Sequence, residues 1–190
     1  MAMRTCTVWL AAVTVVYGAS PLGTITKNMP RLQAQIEKLE PCPEPKSSPI
    51  EFKNLMISKS GFNKYELSGK INIKEKFDKP ITIVMEMYRC KSKEDPSSCE
   101  YYFTFKKANI CDLLKRNENS FDYFTNGTDL PTTCPFRPKE YTIDGSTVDL
   151  QKINFVPFFQ SYWRLKNKAY MKEKLMFCLV SEFALQMVKP

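Results

Sequence analysis

ITIVMEMYRC (Ile81–Cys90) and CEYYFTFK (Cys99–Lys106) are two segments in which apolar residues alternate with other residues. Alternation with a period of two is typical of β-strands that bury one face. The polar stretch KSKEDPSS (Lys91–Ser98) between them predicts a turn, so the two strands are expected to form a hairpin. A disulfide between Cys90 and Cys99 would join the strands at the neck of that hairpin.

The segments around this hairpin predict a mainly β domain over residues 50–190. Asn109–Arg116 has helical spacing and predicts one short helix, with Asn109 as its cap. Leu175–Met187 is apolar nearly throughout, which is typical of a strand buried on both faces. Further strands are expected at Glu51–Ser58, Tyr65–Ile73, Tyr141–Ile143, Val148–Ile153 and Tyr162–Tyr170, the last forming a hairpin with Leu175–Met187 that turns near Lys172 and Glu173. This pattern predicts a disulfide-bonded β-sandwich or β-cup with one short helix and an apolar cavity.

The residues before this domain divide into a targeting segment and an arm. Met1–Ala19 is predicted to be a secretory signal peptide, because a basic residue precedes the apolar run Val8–Tyr17 and small residues follow it. The run is too short to cross about 30 Å of hydrocarbon. Residues 20–49 are rich in proline and are expected to form a loosely held arm, attached through Cys42. Within it, Pro30–Glu40 is predicted to form a short amphipathic helix.

The chain has seven cysteines and no histidine. Cys6 would leave with the signal peptide, and the even number that remains predicts disulfides in a secreted, extracellular protein. Without histidine or a CxxC pair, neither a metal site nor a cofactor is expected. Asn126-Gly127-Thr128 is a sequon for N-glycosylation of Asn126. The cysteines that remain are Cys42, Cys90, Cys99, Cys111, Cys134 and Cys178. Their connectivity is left open by spacing alone.

Composition and motifs also restrict the class of function. The net charge of +8 favours anionic surfaces such as lipid headgroups, but Lys and Glu alternate along the predicted strands, as on a solvated face. No cluster of Lys and Arg is interleaved with aromatic residues, so no nucleic-acid partner is expected. The absence of histidine removes His-dependent catalysis, and no GxSxG, P-loop or HExxH motif is present. We therefore do not expect an enzyme.

Several apolar strand faces are candidate walls of a ligand cavity, although such faces equally form ordinary core. The apolar segment Phe155–Phe159 contains a proline, and its Phe158 and Phe159 are expected either to form a membrane-touching lip or to fold inward. Tyr162 and Trp163 would extend an aromatic rim, and Arg164 would meet an anionic headgroup. The candidate wall residues are Ile83, Met85, Met87, Tyr101, Phe103, Phe105, Phe177, Leu179 and Phe183.

Several motifs occur in an order that suggests a family. They are Asn109-Ile110-Cys111 at the start of a helix, Cys134-Pro135-Phe136 followed by Tyr141, an apolar loop around Pro157 before Trp163-Arg164, and a last strand that carries Cys178. Together they resemble the ganglioside-activator family of secreted lipid-binding β-cups, and its insect branch in particular, which includes CheB-type chemosensory proteins. The resemblance covers roughly residues 42–187.

The resemblance implies a pairing of the cysteines: Cys42 with Cys178, Cys90 with Cys99, and Cys111 with Cys134. The ganglioside activator has a further disulfide inside the segment that corresponds to the residues between Cys111 and Cys134, and this disulfide has no counterpart here. Ser161-Tyr162 also stands where the family often has Gly-Asn or Gly-Asp.

The resemblance further implies that the protein binds a lipid or another hydrophobic small molecule. The ligand would be pheromone-like, with a chemosensory role and transient membrane contact. A first alternative is an activator that presents a glycolipid to a glycosidase. A second is a secreted protein-interaction module that binds a receptor and has a filled core.

Overall fold

The computed structural model describes residues 30–43, 47–77, 80–115, 126–150 and 159–189. These residues form a mainly β structure with one short α-helix, which confirms the predicted mainly β fold. The elements are β1 (Arg31–Pro41), β2 (Ile50–Gly61), β3 (Lys64–Ile73), β4 (Ile81–Cys90), β5 (Glu100–Lys107), α1 (Ile110–Lys115), β6 (Lys139–Asp149), β7 (Ser161–Met171) and β8 (Lys174–Val188). The predicted signal peptide Met1–Ala19 and the part of the predicted lip before Phe159 lie outside the described residues.

The strands form two antiparallel sheets. The larger sheet has the order β1-β8-β7-β4-β5, and the smaller has the order β2-β3-β6. The hairpins β4–β5 and β7–β8 are confirmed, and the second turns at Lys172 and Glu173 as predicted. β8 lies between β1 and β7 and has buried residues on both faces, such as Val180 on one and Phe183 on the other.

The prediction of a helix at Pro30–Glu40 is wrong. Arg31–Pro41 is instead an edge strand of the larger sheet, in register with β8. Leu32 and Ile36 are four residues apart, a spacing that fits a helix as well as one face of a strand. Pairing with β8 decides between the two, because it satisfies the backbone and buries Ala34. The segment predicted as a loosely held arm therefore contains a strand of the sheet.

The structure also refines the predictions of two edge strands before β7 and of the short helix. Tyr141–Ile143 and Val148–Ile153 were expected as separate edge strands, but Lys139–Asp149 forms the single edge strand β6. The helix expected at Asn109–Arg116 is present as α1. The Asn109 carbonyl oxygen accepts a hydrogen bond from the Asp112 backbone N–H at 3.0 Å, while its side chain donates to the Asp112 carboxylate. Among the described residues, no helix has the length and apolar character needed to cross a membrane.

Three disulfides connect the described elements, and they have the pairing that the resemblance implies. Cys90–Cys99 joins β4 to the start of β5, and Cys111–Cys134 joins α1 to the loop before β6. Cys42–Cys178 joins the end of β1 to β8 across a sequence separation of 136 residues.

The turn between β2 and β3 holds the exposed edge of β1. The Asn63 side chain accepts a hydrogen bond from the Ala34 backbone N–H at 2.7 Å and donates to the Leu32 carbonyl oxygen at 3.0 Å. The Tyr65 hydroxyl donates to the Ala34 carbonyl oxygen at 2.8 Å and accepts from the Ile36 N–H at 3.2 Å. We call these contacts the β1 clasp. They satisfy backbone groups that an edge strand otherwise leaves open, and they connect the two sheets.

Candidate ligand-binding cup

The candidate site is the space between the facing surfaces of the two sheets, which we call the cup. Antiparallel partners point to the same side of a sheet, so the strand registers define the inner face of the larger sheet. Its cross-strand rows from β4 through β7 to β8 are Ile83–Ala169–Phe177, Met85–Asn167–Leu179, Met87–Leu165–Ser181 and Arg89–Trp163–Phe183. The predicted wall residues of β4 and β8 therefore do share one face.

At one end of the cup the two sheets are in contact. Ile50 and Ile73 of the smaller sheet are buried in the same cluster as Ile81 and Ala169 of the larger sheet. The ring of Phe52 meets the ring of Phe177 edge to face, with centroids 5.3 Å apart. This end is a closed hydrophobic core, to which each fully buried large side chain contributes about 1.5–3 kcal/mol.

The other end contains an aromatic group around Trp163. The Trp163 side chain is fully buried and belongs to a second cluster with Met87 and Phe183. The ring centroid of Phe159 lies 5.0 Å from that of Trp163, and the Tyr102 centroid lies 5.1 Å from it. The Arg89 guanidinium stacks on Phe159 at 4.9 Å. Phe159 therefore folds onto the cluster, while Phe158 lies outside the described residues.

Between the two clusters, large apolar side chains stay half-buried. On the larger sheet these include Leu179 and Phe105, together with Met85 and Phe103, which pack against the aromatic cluster. The smaller sheet presents Leu55, Ile57 and Leu67 from β2 and β3, again half-buried, and Ile71, which packs against the closed core. One polar pair lies among them: the Asn167 amide donates to the Ser181 hydroxyl at 3.3 Å. The middle of the cup is therefore apolar surface that the described residues do not fully cover.

Three residues predicted for the site lie elsewhere. A bulge in the β4–β5 pairing, between Met87 and Tyr88, turns Tyr101 to the outer face, where its side chain is 62% exposed and contacts Tyr88. Tyr162 and Arg164 also lie on the outer face, where both bind the Glu182 carboxylate. Arg164 is therefore neutralised and turned away from the cup.

Two features of the site were not predicted from the sequence: the wall supplied by the smaller sheet and the position of Arg89. The alternation that places Met85 and Met87 on one face also places Arg89 there, and this signal was available. Leu55 is different, because a bulge in β2 turns it over Gly69. A Cβ at Gly69, whose φ is +149°, would lie 3.0 Å from the Leu55 side chain and from two backbone oxygens. Glycine is required there, and alternation alone does not reveal it.

The outer face of the larger sheet carries a network of charged and hydroxyl groups. Glu182 accepts hydrogen bonds from the Tyr162 hydroxyl and Arg164 Nε, each at 2.7 Å. Burial raises the pKa of the Glu182 carboxyl, but these two hydrogen bonds outweigh burial, and the net pKa is below the ordinary value. Burial and the Glu182 carboxylate raise the pKa of Tyr162. In the described part of the chain, no three Cys, Asp or Glu residues come together as a potential metal site.

The pKa of Glu182 leads to a prediction about pH and stability. A carboxyl whose folded pKa is depressed stabilises the protein above its unfolded pKa, and this contribution is lost as the pH falls through the folded pKa. Glu182→Gln is therefore expected to lower the free energy of unfolding by about 2 kcal/mol at neutral pH. The deficit should shrink as the pH falls below about 4. Chemical denaturation across this range measures it, with Glu66→Gln on the exposed outer face of the smaller sheet as the control. A deficit that stays constant down to the lowest pH would contradict the assignment.

The described geometry defines a class: a disulfide-bonded antiparallel β-sandwich with apolar and aromatic side chains between its sheets. No protein-family model matches the chain, and no curated protein has a sequence significantly similar to it.

Proposed function

We propose that this protein is a secreted carrier that binds a lipid or another hydrophobic small ligand in the cup. The observation that carries this proposal is the half-buried apolar surface between the two clusters, to which both sheets contribute. Monomeric cores usually bury such side chains completely, because each exposed apolar group loses hydrophobic stabilisation. An apolar ligand chain would cover this surface, and each methylene buried would contribute about 0.8 kcal/mol.

Other features support secretion and this kind of ligand. Three disulfides are typical of extracellular proteins, and Asn126 of the sequon is exposed in a turn. The disulfide pairing agrees with that implied by the resemblance to the ganglioside-activator family. We extend the proposal to a pheromone-like ligand with a chemosensory role on that resemblance. Binding without chemical turnover fits a chain that has no histidine.

Ligand extraction tests the proposal directly. Protein purified from the medium of secreting cells would be extracted with organic solvent, and the extract analysed by mass spectrometry. The purified protein would also be titrated with a fluorescent fatty acid. We expect a co-purified lipid or saturable probe binding at one site per chain. Recovery of no lipid together with no probe binding would overturn the proposal and favour an interaction module with a filled core.

Filling the cup should block binding without unfolding the protein. Leu179 lies in the middle row of the inner face and is half-buried. We expect Leu179→Trp to weaken probe binding at least about tenfold, because the larger side chain occupies the space that the ligand needs. Met56→Trp, at a position 66% exposed on the outer face of the smaller sheet, is the matched control. If both variants keep their melting temperatures and bind the probe equally, the ligand does not occupy the cup.

A further inference from the structure

We propose that the aromatic end of the cup is a site for an anionic head group, with Arg89 as its anchor. This inference rests on the proposed function and adds a ligand class to it. The ligand would be a single-chain amphiphile whose head carries an oxyanion, either a carboxylate or a phosphate ester. Its apolar chain would run along the inner face of β4.

Arg89 lies on the inner face of the larger sheet, at the open end of the cup. Arg89 pairs with Trp163 across β4 and β7, so both side chains leave the same face of the sheet. Arg89 is exposed at the end of β4, while Met87, two positions earlier on the same face, is fully buried. Arg89 is therefore at the border between solvent and the apolar cup, where the head of an amphiphile would lie.

The contacts of Arg89 position its charge and leave it without a salt bridge, although Glu100, its neighbour on β5, leaves the same face of the sheet. Arg89 Nε donates to the Ser161 hydroxyl at 3.0 Å, and the guanidinium plane stacks on Phe159. No carboxylate of the described residues lies within salt-bridge distance of it. Arg164 and Lys168 differ, because Glu182 and Glu86 pair with them at 2.7 and 2.6 Å. A guanidinium held in this way can present its remaining N–H groups as a fork to a carboxylate or phosphate.

A second hydrogen-bond donor at this end has no acceptor. Trp163 Nε1 is buried and makes no hydrogen bond within the structure. A buried N–H without a partner costs about 1–3 kcal/mol, so such groups are uncommon. Phe159 and Tyr102 pack against this indole, and an oxygen of the ligand would reach Nε1 by displacing one of those rings. Two neighbouring donors that lack an anionic acceptor favour a head group that supplies oxygens.

The length of the face fits an extended chain. Ile81 and Arg89 are eight positions apart on β4, which is roughly 26 Å at the rise of a strand. The intervening residues of the inner face, Ile83, Met85 and Met87, are all apolar. A ligand anchored at Arg89 would displace side chains that cover the fully buried Met87 and then lie over the half-buried Met85 and Ile83 toward the closed end of the cup.

Ligands with the same chain and different heads test the assignment. Oleate, oleyl phosphate and oleyl alcohol would be titrated into protein purified from secretion medium. Trp9 lies in the predicted signal peptide, so Trp163 is then the single tryptophan and its emission reports binding next to Arg89. We expect at least one of the two anions to bind about tenfold more tightly than the alcohol, and Arg89→Gln to remove this preference while alcohol binding is kept. Lys166→Gln is the control, because Lys166 stacks on Tyr88 at 5.2 Å on the outer face.

The outcomes separate the two proposals. If the native protein binds the three ligands equally, or if Arg89→Gln keeps the preference for anions, the head-group site is overturned and the carrier function stands. If no ligand binds, both proposals fail. A preference for only oleate or only oleyl phosphate supports the site and identifies the head group. Circular dichroism of Arg89→Gln distinguishes a lost preference from a lost fold.

Discussion

Replacing Cys42 and Cys178 together by serine is expected to lower the free energy of unfolding by about 5 kcal/mol. The reason is the length of the closed loop, since the two cysteines are separated by 136 residues and the entropy removed from the unfolded chain grows with loop length. Small domains are stable by about 5–15 kcal/mol in total, so the variant should melt far below the native protein or fail to fold. Denaturant unfolding without reductant measures the loss.

The Cys90–Cys99 pair provides the matched control. Its separation is only nine residues, so the double serine variant should lose roughly 3 kcal/mol by the same loop entropy. The pairing of β4 with β5 remains to hold that hairpin. Equal losses in the two variants, or a larger loss for the short loop, would show that loop entropy does not explain the role of the Cys42–Cys178 disulfide.

Asn63→Gly is expected to lower the free energy of unfolding by about 3 kcal/mol, because it removes the amide of the β1 clasp. The Ala34 N–H and the Leu32 carbonyl oxygen would each lose a partner, at roughly 1–3 kcal/mol per buried group. Glycine tolerates the backbone at Asn63, whose φ is +56°, so the loss reports on the side chain and not on backbone strain. Thermal and denaturant unfolding give the magnitude.

Asn54 is the control for this variant. Its φ is +51°, close to that of Asn63, but the residue is exposed in the bulge of β2. Asn54→Gly should therefore change the free energy of unfolding by less than about 0.5 kcal/mol. Hydrogen exchange of the Ala34 and Ile36 amides gives an independent readout, and it should accelerate only in Asn63→Gly. Unchanged exchange would mean that the clasp does not hold the edge of β1.

The alternation of apolar residues predicts the face of most, but not all, of the strand residues that line the cup. The shared face of Ile83, Met85 and Met87 follows from the period of two, and so does that of Phe177, Leu179 and Phe183. The same rule fails for Tyr101, because a bulge inserts a residue and turns the side chain to the other face. Bulges depend on how two strands pair, so they cannot be predicted from the sequence of one strand.

Local periodicity and turn residues are sufficient to predict the β class, the two hairpins of the larger sheet and the alternating faces of their strands. The packing of distant strands decides that Arg31–Pro41 is a strand, since the pattern of this segment fits a helix equally well until β8 supplies backbone partners. It also decides that Arg164 faces Glu182 while Arg89 stands at the open side of the aromatic cluster. The sequence shows that each arginine is charged, but the groups that contact the arginine come from strands distant in sequence.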